Sequence, residues 1–152
     1  MFNLSELVRG GTLCLSKAGL HAGTTSTIDI AAPNGAGVDY AIAGVLYHEA
    51  DSNTNAPTAC ALQATLTSCL YLVQLDTAHA ITVIKGTEVL TADVGLVSLV
   101  WPAPTAGKCP IGGFRIDTAS GYTFTSGTTT FNSNNTATFY DFVAVPDAPI
   151  VA

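Results

Sequence analysis

Residues 69–75 read CLYLVQL, and residues 81–85 read ITVIK. In the first stretch, apolar residues occupy both alternating positions, so a strand there has no solvent face. A run of this kind predicts a central strand covered on both sides. The second stretch interrupts its apolar residues with Thr82 and predicts the partner strand, with DTAHA (76–80) as the turn and Gly86 as the stop. A chain whose clearest element is a two-sided strand needs material to cover both faces.

The flanking sequence predicts further strands. VDYAIAGVLYHE (38–49) reads as two short strands joined at Ala43-Gly44, where the glycine supplies the positive φ of a tight hairpin turn. DSNTNAP (51–57) reads as a polar loop. Gly95 to Trp101 reads as a strand stopped by Pro102. Ile111 to Asp117, Tyr122 to Thr125, Thr128 to Phe131 and Thr136 to Val145 complete the expected set, separated by SG and NSNN turn chemistry. The expected fold is therefore all-β, a β-sandwich or jelly-roll-like body over residues 38–152. Residues 1–37 are expected to form a short N-terminal helix and an extended arm. The helix falls within Asn3 to Lys17, with Asn3 or Ser5 as cap and Leu4, Leu7 and Val8 at helical spacing. The tail VPDAPIVA is expected to run extended.

Composition narrows the function. The 152-residue chain is only 11% charged and 48% apolar, with a net charge of −6. Typical domains carry about 25% charged residues, so this surface is either unusually neutral or covered by partners. The five basic residues are scattered, which argues against nucleic-acid binding. No apolar run reaches the roughly 18 residues of a membrane helix. The N-terminus lacks the apolar core of a secretory signal, so folding in a cytoplasm is expected.

No residue set calls for catalysis or a cofactor. Cys14, Cys60, Cys69 and Cys109 form no CxxC pair, which argues against zinc, and buried free thiols are expected. HEAD (48–51) offers His48, Glu49 and Asp51 to a hard cation, but strand alternation sends His48 and Glu49 to opposite faces. His21 and His79 have no triad pattern near them, and Gly35-Ala36-Gly37 precedes a strand where a phosphate loop would follow one. The tyrosines with Trp101 form a possible sugar platform or, on strands, core. In KCPIGGFRI (108–116), Pro110 starts a strand, Gly112-Gly113 admits a close neighbour, and Lys108 points away from Cys109.

Three stretches taken together carry a resemblance. SKAGLHAGTT (16–25), the pair TSCLYLVQLD (67–76) and ITVIKGTEVLTADVG (81–95), and KCPIGGFRI followed by YTFTSGTTTFNSNNTATFYDF (122–142) resemble, in that order, small virion proteins of tailed bacteriophages. The nearest kind is the capsid decoration, or cement, protein. The resemblance covers most of the chain, and its motifs are structural. It implies a homotrimer on the outer face of a phage head, with the major capsid protein as partner, no cofactor and no enzymatic activity. Assembly would take place in the host cytoplasm. The interaction residues expected on that basis are Leu4, Leu7, Val8, Leu15, Leu20, Phe114 and Tyr122. A trimeric tail-fibre receptor-binding domain and a carbohydrate-binding module are the alternatives.

Overall fold

The computed structural model describes residues 11–131 and 133–143. The described residues form eleven strands: β1 (Leu13–Cys14), β2 (Leu20–Ala22), β3 (Ile28–Ile30), β4 (Val38–Ile42), β5 (Val45–Glu49), β6 (Ser52–Asn55), β7 (Thr67–Leu75), β8 (Ile81–Lys85), β9 (Val89–Leu90), β10 (Cys109–Thr118) and β11 (Asn135–Asp141). They form three antiparallel sheets. The main sheet runs β11-β10-β7-β8, with β9 also on β7; the smaller sheets are β1-β4-β5 and β2-β3-β6. The architecture is all-β and sandwich-like. Among the described residues no helix is long and apolar enough to cross a membrane.

All nine residues of β7 are buried, as its two-sided apolar pattern requires. One face carries Cys69, Tyr71, Val73 and Leu75 into the core, where they meet Cys14, Tyr40, Ile28, Ile30, Phe114, Ile116, Phe124 and Phe131. The two small sheets cover this face: β1 and β4 lie against β10, and β2 lies against β11. The opposite face, with Leu70, Leu72 and Gln74, is covered by the segment around Trp101 to Thr105. Gln74 binds that segment with both ends of its amide, donating to Thr105 Oγ1 at 2.8 Å and accepting from the Thr105 amide at 3.0 Å.

β10 explains the double glycine. A Cβ on Gly113 would overlap the Tyr71 carbonyl oxygen and the Trp101 ring; one on Gly112 would overlap the Tyr140 carbonyl oxygen and Leu20 Cδ1. Gly112 and Gly113 therefore let the core residue Leu20 and the covering residue Trp101 touch the sheet backbone from opposite sides.

The β4–β5 hairpin closes with Ile42 opposite Val45, leaving Ala43 and Gly44 as a two-residue turn. Both have positive φ, 50° and 80°. Such turns need the left-handed region twice, and alanine enters it at a cost of about 1 kcal/mol. Replacing Ala43 by asparagine, which tolerates this backbone, is expected to stabilise the protein by about 0.5–1 kcal/mol. Urea denaturation should show a higher midpoint with an unchanged slope.

Several sequence expectations need correction. Residues 11–17 are not helical: Leu13 and Cys14 form β1 and pair with Ala41 and Tyr40. Residues 3–10 of the expected helix, with Leu4, Leu7 and Val8, lie outside the described residues. Residues 18–37 are not a separate arm, because β2 and β3 pair with each other and β3 pairs with β6. The loop expected at 51–57 contains β6; its pairing uses backbone groups, so polar side chains do not prevent it. Gly95 to Trp101 makes only an isolated bridge between Val94 and Val97. Pro102 and Pro104 lack amide hydrogens, and Gln74 serves the segment through a side chain. Tyr122 to Thr125 and Thr128 to Phe131 form turns and one isolated bridge, Gln63 to Phe124. The alternating Thr and Phe there anchor Phe124 and Phe131 in the core without continuous pairing.

Candidate functional site

Of the expected interaction residues, Leu20 and Phe114 are buried in the core. Leu15 and Tyr122 are exposed. The structure does not bring these four together on one surface. Exposed aliphatic side chains fall in two groups, the first of which includes Leu15.

The first group lies on the small sheet. Register pairs Leu13 with Ala41 and Ala41 with Leu46. Alternation then puts Leu46 and Leu15 on the same outward face, beside the Asp39–His48 pair. Leu46 is 73% exposed.

The second group sits at one end of the main sheet and consists of Leu62, Leu66 and Leu90, all exposed, with Leu96, Val97 and Val100 in the following loop. Leu96 is 88% exposed. Polar bonds hold the backbone beneath them. Lys85 donates to the Leu62 carbonyl at 2.7 Å and is paired with Glu88. Glu88 accepts from the Ala64 amide at 3.0 Å, and the Thr91 amide donates to the Leu66 carbonyl at 2.9 Å. Leu66 itself has a φ of 57°. A leucine in the left-handed region is a true outlier and costs about 1–2 kcal/mol. It is kept there by its neighbours: the Thr67 amide donates to Thr118 Oγ1 at 3.0 Å, and the Thr67 hydroxyl donates to the Ala64 carbonyl at 2.7 Å. The segment ALQATLTS gave no strand or helix signal, so its leucines escaped the sequence reading. The signal available was their isolation among small polar residues, where no core pattern claims them.

The residues weighed for chemistry are dispersed. His48 Nδ1 is 2.8 Å from Asp39, Glu49 Oε2 is 2.9 Å from His79 Nδ1, and Asp51 Oδ1 accepts from the Ala32 and Gly37 amides at 2.9 and 3.2 Å. The HEAD stretch thus sends its three groups to three places. Tyr40, Tyr47 and His79 form an aromatic cluster between the hairpin and the DTAHA turn, with Tyr40 stacked on Tyr47 at 5.5 Å. Among the described residues no three His, Cys, Asp or Glu side chains gather as metal ligands.

The thiols are held inactive by burial. Cys109 lies fully buried, and desolvation pushes its thiol up to about 12; Cys14 and Cys69 are pushed up to about 11 for the same reason. Lys108 bonds Thr82 Oγ1 at 3.0 Å and does not serve the thiol. Cys60 is raised less strongly and is only half-buried. Thiolate is the reacting form, so an aromatic disulfide reagent at pH 8 should label one thiol per native chain, Cys60, and four after denaturation. Fast labelling of Cys109 in the native protein would contradict this.

Comparison with family models, curated proteins and solved structures found no match in any of the three.

Proposed function

We propose that the protein is a virion structural protein, a decoration protein that binds the outer surface of a tailed-phage head as a trimer and stabilises it. The observation that carries this reading is the rim of exposed leucines, Leu62, Leu66 and Leu90, on a backbone that hydrogen bonds hold rigid even at the left-handed Leu66. Side chains held outward at a conformational cost are a mark of a contact surface. The low charge of the chain and the resemblance of its three segments to phage virion proteins agree with it. In this reading the rim meets the major capsid protein, and the outward face bearing Leu15 and Leu46 meets another copy of the chain. Many copies on one shell would strengthen weak single contacts through avidity.

Undecorated shells incubated with Leu66→Asp protein should sediment with at least tenfold less bound protein than with wild type, since a buried unpaired charge costs several kcal/mol. The variant should keep the wild-type circular dichroism, because Leu66 is already exposed. Removal of residues 1–10 is the companion test of the amino-terminal contact; longer deletions would cut into β1. Unchanged occupancy for Leu66→Asp would remove the rim from the interface.

A further inference from the structure

β5 forms one edge of the sheet β1-β4-β5. The hairpin decides which of its backbone groups are used. Ile42 and Val45 close the two-residue turn as a hydrogen-bonded pair. Alternation then makes Tyr40–Tyr47 and Val38–Glu49 bonded pairs, and leaves Ala41–Leu46 and Asp39–His48 unbonded across the hairpin. The Asp39 carbonyl agrees: it accepts from the Leu15 amide at 2.8 Å, on the side away from β5. The N–H and C=O groups of Leu46 and His48 therefore point out along the edge. Among the described residues none is hydrogen-bonded to them.

An open edge is a template for another strand, and proteins commonly block it with short length, charge, proline or a bulge. The edge strands β1, β2 and β9 have two or three residues, and β6 has four, all polar. The thiol of Cys60 donates to the Val83 carbonyl of β8 at 3.4 Å. Leu20 sits at the end of β11, its amide donating to Asp141 Oδ1 at 2.9 Å. β5 has no such block. It is five residues long, its register with β4 is unbroken, and Val45 and Leu46 are exposed. Its two charged or titratable side chains, His48 and Glu49, are already paired with Asp39 and His79.

We propose that β5 pairs antiparallel with β5 of a second copy of the chain, with Tyr47 opposite its own counterpart. A twofold axis at Tyr47 puts Leu46 opposite the second copy's His48, and His48 opposite its Leu46. Every free N–H and C=O group of the two edges then finds a partner. Other registers do not achieve this. An axis at Leu46 pairs His48 with Gly44, whose amide already binds the Gly11 carbonyl; an axis at His48 pairs Leu46 with Ala50, beyond the strand. The Tyr47 register also opposes no like charges, because Glu49 falls opposite Val45. Tyr40 already stacks on Tyr47, so the join continues one aromatic row across both copies. In giving a second copy to the Leu46 face the proposal rests on the reading above, and it adds the register. A contact of this symmetry closes at two copies, so on a shell it links neighbouring trimers.

Hydrogen exchange of the whole protein without shells, followed from about 10 µM to about 1 mM, the range of weak and small interfaces, tests it. The Leu46 and His48 amides should slow at least threefold as concentration rises. Leu46→Pro removes an outward donor and no bond to β4; Leu46→Lys puts a charge on the edge and keeps the backbone. Either should abolish the slowing at His48. Tyr47→Cys in a Cys60→Ser background should form a disulfide-linked dimer with oxidised glutathione, which is reduced as the bond forms. Val45→Cys, about 13 Å from its counterpart in this register, should not. Exchange that stays fast at every concentration would overturn the proposal. So would exchange already slow in the most dilute sample, which means an occupant within the chain, slowing that survives both Leu46 variants, or equal cross-linking through Val45→Cys. Shell binding by Leu66→Asp protein is a separate measurement, so failure of this register is distinguishable from failure of the capsid reading.

Discussion

Truncating Phe114 to alanine is expected to cost about 3–5 kcal/mol, the range for removing a large buried aromatic. Phe114 is fully buried at the middle of β10. Its ring stacks on Tyr71 at 4.9 Å and 9° and meets Phe131 edge-on at 5.0 Å. Phe124 and Phe139 close the cluster at 6.2 and 5.5 Å. Phe131 and Phe124 come from a segment with few ladder bonds, so their rings are what fastens that segment to the sheet. The cavity left by alanine would loosen the β10–β11 connection as well as the core. With total stabilities of about 5–15 kcal/mol for domains, the variant should sit near the threshold of folding. Thermal unfolding should show a midpoint lower by about 10 °C or more. Phe114→Leu, which refills most of the space, should lose less than half as much. A loss below about 1 kcal/mol for Phe114→Ala would mean that the aromatic cluster is not the core.

Replacing Gln63 by leucine is expected to cost about 3 kcal/mol, although leucine is similar in size and more apolar. Gln63 is fully buried. Its Nε2 donates to the carbonyls of Thr67 and Ile116, each at 3.0 Å, and its Oε1 accepts from the Tyr71 hydroxyl at 2.9 Å. It thus links β7, β10 and the aromatic core through one side chain, while its backbone bridges Phe124. Leucine would deprive the Ile116 carbonyl and the Tyr71 hydroxyl of this buried partner, while the Thr67 carbonyl keeps the Thr118 hydroxyl at 3.1 Å; each group so deprived costs about 1–3 kcal/mol, partly recovered by relaxation. The double variant Gln63→Leu with Tyr71→Phe removes one of the orphans and should be more stable than Gln63→Leu alone. Chemical denaturation of the four proteins of this cycle measures the coupling. If Gln63→Leu were neutral, the buried amide would contribute nothing net.

The centre of the main sheet was legible because β7 is buried on both faces and β10 nearly so. CLYLVQL has no polar face to give, and the ends of β8 follow directly from Lys85 and Gly86. The double glycine of β10 was also legible, since only a crowded strand wants two adjacent residues without Cβ atoms. The expectations failed where apolar side chains are anchored by something other than ladder pairing. Val97 and Trp101 imitate a strand, yet their segment is bound through the Gln74 side chain. Phe124 and Phe131 imitate strand alternation from within turns. The reverse error came at Ser52 to Asn55, where backbone pairing ignores side-chain polarity. Surface function was the least legible. Exposure of Leu62, Leu66 and Leu96 is decided by neighbours far away in sequence, and Leu20 and Phe114 are hidden by the same tertiary packing.

The measurement that bears most directly on the central claim is the location of the protein in purified particles by electron cryomicroscopy. The account predicts regular density outside the shell at its threefold positions, fitted by three copies of this sandwich with the Leu62, Leu66 and Leu90 rim against the capsid surface. Density confined to the tail, or shells that carry none of the protein, would contradict it.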